Sequence, residues 1–319
     1  MSEADARWLA AAACLAERAR PLSRPNPPVG AIVVKEGIVL GRGWTRPGGR
    51  PHAEAAAFDE AGAAAGGATL YVTLEPCAHR SERGPACADL AIASGIVRAV
   101  IGVADPDART AGEGIARLTA AGIDATLADD AASRESLAGY LVRMREGRPF
   151  VTLKLAMTAD GFIARKDGTS RWITGEIARA HAHRERARSD AILVGGRTLR
   201  SDAPRLDVRL PGLEGRSPRR LALTQGATPG GWQALRQPED IRDLDAQYLL
   251  VEGGAEVADA LLCAGLVDRL LLYRSAAEFG EGVPAFRHPA SAGVPEGWLL
   301  ADRRQLGNDT LEDYTPGQS

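Results

Sequence analysis

At 319 residues the chain has the length of two ordinary domains. Lys and Arg number 39 against 41 Asp and Glu, a formal net charge of −2, so it lacks the basic excess of a protein that coats nucleic acid or a membrane surface. With 45% hydrophobic and 25% charged residues it can bury a real core, and four cysteines (Cys14, Cys77, Cys87, Cys263) are too few for a disulfide framework.

A first helix is expected over about residues 4–20, with Ser2 as N-cap and Asp5 at the capping-box position. Its acidic flank and the charges that follow at once argue against a secretion signal, and no apolar run is long enough to span a bilayer. A cytoplasmic protein without a membrane partner is expected. The Pro-rich turn 21–28 leads to a strand over 29–34, a hairpin turn at Gly37 and a strand over 38–44. Next come a helix over about 53–65, stopped by Gly66-Gly67, and a strand over 69–74. Residues 86–94 read as helix, 97–103 as strand, 114–121 as helix, 123–127 as strand and 132–145 as helix. This alternation predicts an α/β layered domain with mostly parallel pairing.

The charged stretch Arg145-Glu146-Gly147-Arg148-Pro149 marks a boundary, dividing residues 1–147 from 148–319. Beyond it, strands are expected over 150–157, 191–194, 220–223, 248–251 and 269–273, with helices over about 176–188 and 255–264. That is a second α/β domain. Residues 226–247 are polar and Pro-rich and show no clear strand.

Three short segments of the first domain carry metal-binding chemistry. Pro51-His52-Ala53-Glu54 opens a helix, with Pro51 expected at its first position. Glu75-Pro76-Cys77 follows a strand, and Pro85-Ala86-Cys87 opens another helix. One imidazole and two thiolates (His52, Cys77, Cys87) make a three-ligand Zn2+ site whose fourth position is left for water. Glu54 is the acid that does not ligate, as in the H-x-E…P-C signature of zinc deaminases, and would move protons between water and the leaving amine. Taken singly, each residue fits a buried thiol or a surface histidine; the set, in this order and on these elements, points to a catalytic metal.

With these segments the sequence resembles the bifunctional riboflavin-biosynthesis deaminase–reductases. Asn26-Pro27-Pro28-Val29-Gly30 is similar to that family's N-P-x-V-G segment, and Thr73-Leu74-Glu75-Pro76-Cys77 and Asp105-Pro106 extend the match. The resemblance implies a cytidine-deaminase-like three-layer α/β domain followed by a dihydrofolate-reductase-like α/β domain. It implies hydrolytic deamination of a diaminopyrimidinone ribose phosphate, NADPH reduction of the ribosyl group to ribityl, and contact of Asn26 with the pyrimidine. Nine residues separate Cys77 from Cys87, where the family usually has eight. In that loop His79 keeps a family position, and Arg80 or Arg83 would substitute for the missing phosphate contacts.

No strand–G-x-G-x-x-G–helix unit marks the second domain; the nearest fragment in the chain, Gly112-Glu113-Gly114 of the first domain, lacks the third glycine. Two strand–glycine–helix turns do occur, at Gly195-Gly196 and Gly253-Gly254, and backbone amides there can approach a phosphate. By the resemblance, Ala156, Trp172, Thr198, Asp202, Gly253 and Gly254 border NADPH. Lys154, Ser170, Arg186, Leu206, Arg209 and Glu252 border substrate, with arginines on the phosphate and Glu252 on ribose hydroxyls. Without it, Arg186 reads as part of a solvated helix face. Against the family, the domain reads as shortened between Leu223 and Tyr248, and a deaminase with a vestigial second domain is the alternative. A homo-oligomer with a small-molecule substrate and no nucleic-acid partner is expected.

Overall fold

Ser2 and Asp5 cap the first helix reciprocally, the Ser2 hydroxyl accepting from the Asp5 N–H and the Asp5 carboxylate from the Ser2 N–H. The structure is a computed structural model that describes residues 1–79, 84–167, 173–286 and 294–317. It divides into two compact units, Met1–Gly147 and Arg148–Ser319.

In the first unit α1 (Glu3–Ala16) precedes the hairpin of β1 (Gly30–Lys35) and β2 (Ile38–Trp44), which turns at Glu36 and Gly37, both left-handed. α2 (Ala53–Ala61), β3 (Thr69–Leu74), α3 (Cys87–Ala93), β4 (Arg98–Val103), α4 (Glu113–Ala120) and β5 (Asp124–Leu127) follow. The sheet order is β2-β1-β3-β4-β5, antiparallel at β2-β1-β3 and parallel at β3-β4-β5. Strand periodicity sorts the side chains into two layers. Ala31, Val33, Leu70 and Val72 join Ala53, Ala57 and Phe58 in one cluster, while Ile32, Val34 and Tyr71 join Leu9 and Ala12 in another.

Helices α1 and α2 lie directly on glycines of the sheet. A Cβ at Gly30 would stand 1.9 Å from the Ala12 carbonyl oxygen; at Gly41 and Gly43 it would stand 2.1 and 2.0 Å from those of Ala57 and Ala53. The expected helix over 132–145 is in fact two, α5 (Ala131–Ser136) and α6 (Ala138–Glu146), broken at Leu137. The Ser136 hydroxyl bonds back to the Ser133 carbonyl there, competing with helical pairing. Pro51 also departs from expectation: His52 is the N-cap of α2, and Pro51 precedes it.

The second unit holds β6 (Phe150–Met157), β7 (Phe162–Ala164), α7 (Glu176–Ala187), β8 (Ala191–Gly195), α8 (Gly196–Asp202) and β9 (Arg219–Leu223). After these come β10 (Trp232–Leu235), β11 (Tyr248–Val251), α9 (Ala255–Cys263), β12 (Arg269–Arg274), β13 (Val283–Pro284), β14 (Trp298–Leu306) and β15 (Asp309–Pro316). The eight-stranded sheet runs β10-β9-β8-β11-β6-β12-β15-β14, parallel from β10 to β12 and antiparallel beyond. The region expected to lack a strand contains β10, parallel to β9, and a 3-10 helix over Pro238–Asp243. β10 is a short edge strand with one fully buried side chain, Leu235, so its hydrophobic signal is weak. No helix among the described residues is long and apolar enough to cross a membrane.

Gly43→Ala should push α2, with His52 and Glu54 at its start, off the sheet. The expected cost is about 1–3 kcal/mol of stability, measured by denaturant unfolding, together with a fall in bound metal.

Candidate active sites

In the first unit the three donors come from three chain segments that meet beyond the carboxyl end of the central strand, β3. His52 caps α2, Cys77 lies just past β3, and Cys87 is the first residue of α3. Their ligating atoms all lie within 4.8 Å of one another. His52 Nδ1 is 3.2 Å from Cys87 Sγ and 3.6 Å from Cys77 Sγ. A tetrahedral zinc, with bonds of about 2.3 Å to sulfur and about 2.0 Å to nitrogen, needs such donors about 3.5 Å apart. The set fits zinc.

The thiols are tied to each other before any metal enters. The Cys87 N–H donates to Cys77 Sγ at 3.3 Å. A side-chain hydrogen bond from Cys87, more than that N–H, holds the Cys77 thiol down, to about 4, against its burial. The same thiol–thiol bond, with burial, pushes Cys87 up. Glu54, on the first turn of α2, is buried, and burial pushes its carboxyl up to about 7 while His52 opposes the rise.

Asn26 reaches the same place from the turn before β1. Its amide donates to the Gly49 carbonyl at 3.1 Å and lies 3.0 Å from His52 Nε2. Gly49 is left-handed, and a Cβ there would meet Asn26 Cγ at 2.5 Å, so only glycine lets this turn close on the amide. His79 has Nδ1 3.5 Å from the Thr110 hydroxyl. Arg80 and Arg83 lie outside the described residues. Sequence reasoning quoted Glu75 only as part of a motif. Its buried carboxylate accepts from four backbone N–H groups, those of Asp105, Gly112, Gly114 and Ile115.

In the second unit β8, β11 and β6 are neighbours, so their carboxyl ends open side by side, the usual position of a ligand crevice in a parallel sheet. Both glycine turns lie there. A Cβ at Gly195 or Gly253 would stand 2.7 or 2.8 Å from Val257 of α9, so both turns pack on that one side chain. Gly254 caps α9, while Thr198 and the exposed Asp202 belong to the seven-residue α8. Ala156 is half-buried on β6. Ser170 and Trp172 lie outside the described residues.

Glu252, just past β11, is the electrostatic centre. Arg186 Nε and Nη2 donate to its two oxygens at 2.6 and 2.9 Å, and Lys154 Nζ is 3.8 Å away. Burial pushes the Glu252 carboxyl up, but Lys154 and Arg186 override it and hold it at about 2. Arg186 has a side chain only 12% exposed, unlike one on a solvated face, and it donates to Glu252 through Nε and Nη2 and to the Asp207 carbonyl through Nη1 at 3.0 Å. Arg209 is exposed and pairs with Asp207 at 3.2 Å. Leu206 is buried and left-handed. Tyr273, which the sequence marks only as the end of an expected strand, has Lys154 Nζ 5.4 Å from its ring centre and its hydroxyl 2.8 Å from His181 Nδ1.

Comparison with known proteins follows this division. The sequence model of the cytidine and deoxycytidylate deaminase zinc-binding region matches residues 2–103, and that of the RibD C-terminal domain matches residues 149–241. Riboflavin biosynthesis protein RibD of Haemophilus influenzae is 34% identical, covering 99% of this chain and 98% of its own length. That of Escherichia coli is 37% identical, covering 84% and 87%. The crystal structure of a diaminohydroxyphosphoribosylaminopyrimidine deaminase/5-amino-6-(5-phosphoribosylamino)uracil reductase from Thermotoga maritima superposes with a TM-score of 0.86 at 31% identity, covering 98% of each chain. Acinetobacter baumannii RibD gives the same score and identity over 98% of this chain and 99% of that one.

Glu54 supplies a pH test. In metal-free protein its carboxyl rises from an ordinary 4.5 to about 7 on folding. The folded state therefore binds the extra proton, and stability falls as pH rises through that window. Glu54→Gln should raise the melting temperature of metal-free protein clearly at about pH 8 and much less at about pH 5.

Proposed function

Because the chain belongs to the bifunctional RibD deaminase–reductase family of riboflavin biosynthesis, we propose two linked reactions. The first unit deaminates a diaminopyrimidinone ribose phosphate at a zinc centre, and the second reduces the ribosyl group of that product with NADPH. The observation that carries this reading is the convergence of His52, Cys77 and Cys87 beside the buried Glu54.

A zinc ion on these donors supplies Lewis acidity, which makes water nucleophilic at neutral pH. Glu54 takes a proton from the attacking water and delivers it to the departing amine, so that ammonia leaves and oxygen remains on the ring carbon. A carboxyl near pH 7 is well matched to both halves of that transfer. Asn26, beside His52, is the proposed contact to the pyrimidine.

In the second unit the nicotinamide supplies a hydride when bound. Ala156, Thr198, Asp202, Gly253 and Gly254, with Trp172, are the proposed cofactor contacts. Lys154 and Glu252 face the ribose, held by Arg186; Leu206, Arg209 and Ser170 complete the substrate set. The intact Lys154–Glu252–Arg186 cluster supports an active reductase, because a domain freed from catalysis has no need of a buried carboxylate between two cations.

Cys87→Ser should lose zinc by metal analysis and lose deamination, since two ligands cannot hold the ion tightly. Glu54→Gln should keep one zinc per chain and lose about 10²- to 10⁴-fold in deaminase turnover. Full zinc in the first variant, or full turnover in the second, would refute the assignment. Glu252→Gln should abolish NADPH oxidation on the deaminated substrate while deamination is unchanged; equal NADPH oxidation would remove Glu252 from the site.

A further inference from the structure

We propose that Glu75 is a positioning residue of the deaminase centre, whose carboxylate locks the start of α4 and the loop before it onto the segment bearing Cys77. The inference rests on the zinc reading above.

Glu75 follows β3 directly, two residues before Cys77, and is 2% exposed. Its Oε1 accepts from the Gly114 and Ile115 N–H groups at 2.9 and 3.2 Å. Its Oε2 accepts from those of Gly112 and Asp105 at 3.0 and 3.2 Å. The acceptor sites of one carboxylate are thus divided between both ends of a single loop. α4 needs this help, because its N-cap is Gly112, which has no side chain to offer. Glu75 supplies the missing cap from another strand.

The contact also holds the Cys77 segment. A Cβ at Gly114 would stand 2.1 Å from the Pro76 carbonyl oxygen, so α4 rests on the backbone between Glu75 and Cys77. On its other side that segment is tied to α3, the Cys77 carbonyl accepting from the Ala88 N–H at 3.2 Å. Cys77 is therefore gripped between two helix starts, one of which also carries Cys87. The clamped loop is anchored further by Asp105, whose Oδ1 accepts from the Tyr140 hydroxyl at 2.7 Å and from the Asp107 N–H at 3.0 Å. Thr110, in the same loop, stands beside His79 of the zinc loop.

Glutamine cannot replace this carboxylate. Whichever way its amide turns, an NH2 group faces two backbone donors, leaving buried N–H groups unpaired. Groups that orient metal ligands from behind typically account for 10- to 100-fold in metal affinity.

The test uses the full chain and reads zinc Kd by chelator competition. Wild type is measured first, and absence of zinc from it would overturn the zinc reading itself. Given one zinc per wild-type chain, Glu75→Gln is expected to weaken zinc by about 10- to 100-fold. Gly114→Ala, which keeps the carboxylate but sets a Cβ 2.1 Å from the Pro76 carbonyl oxygen and 3.1 Å from Glu75 Oε1, pushing α4 off both, should weaken it too, and decides the matter alone if Glu75→Gln does not fold. Leu9→Ala, in α1 on the opposite face, should destabilise the unit and leave zinc Kd unchanged. Wild-type zinc affinity in the Glu75 and Gly114 variants would overturn the proposal, as would an equal loss in Leu9→Ala.

Discussion

The first unit depends on backbone-to-backbone seating of its helices. Gly30, Gly41 and Gly43 let α1 and α2 approach the sheet until their carbonyl oxygens occupy the space of a missing Cβ. The facing helix positions are correspondingly alanines, Ala12, Ala53 and Ala57, all fully buried. Close-packed interiors transmit such a constraint rather than absorbing it. The height of α2 above the sheet sets where His52 and Glu54 stand, and the ends of β3 and α3 must then meet them. The metal centre is the place where these separately fixed elements coincide.

The second unit solves a different problem. A carboxylate at the end of β11 is buried between Lys154 and Arg186, and two cations outweigh the desolvation of one anion. The arrangement gives a fixed, ionised Glu252 at the crevice mouth. It also occupies most of the Arg186 fork, so the side chain orients Glu252 more than it binds phosphate. The ring of Tyr273 also lies against Lys154, its centre 5.4 Å from Nζ. The two carboxyls are therefore set in opposite senses: burial pushes Glu54 towards neutrality, and its cationic partners keep Glu252 charged against burial.

Much of this was legible in the sequence because the signals are local. Pro51-His52-Ala53-Glu54 sits where a helix begins and Glu75-Pro76-Cys77 where a strand ends, and β3 spans Thr69–Leu74 as read from the sequence. What escaped notice depends on distant partners. Glu75 is one letter of a motif until four amides converge on it from 30 to 40 residues away. Arg186 lies in an arginine-rich helix run, and only Glu252, 66 residues on, shows that its face is buried. The β14–β15 hairpin was missed although Gly307-Asn308 is a turn signal. Its edge strand is exposed on both faces around Asp302-Arg303-Arg304-Gln305, so it lacks the alternation that marks a strand.

A zinc centre on His52, Cys77 and Cys87, with one position left for a reacting water, has a defined coordination shell. X-ray absorption at the zinc edge of this chain reads that shell. One zinc per chain is expected, with two sulfur neighbours at about 2.3 Å and two nitrogen or oxygen neighbours at about 2.0–2.1 Å. A shell without sulfur, or one with more than two sulfurs, would contradict it.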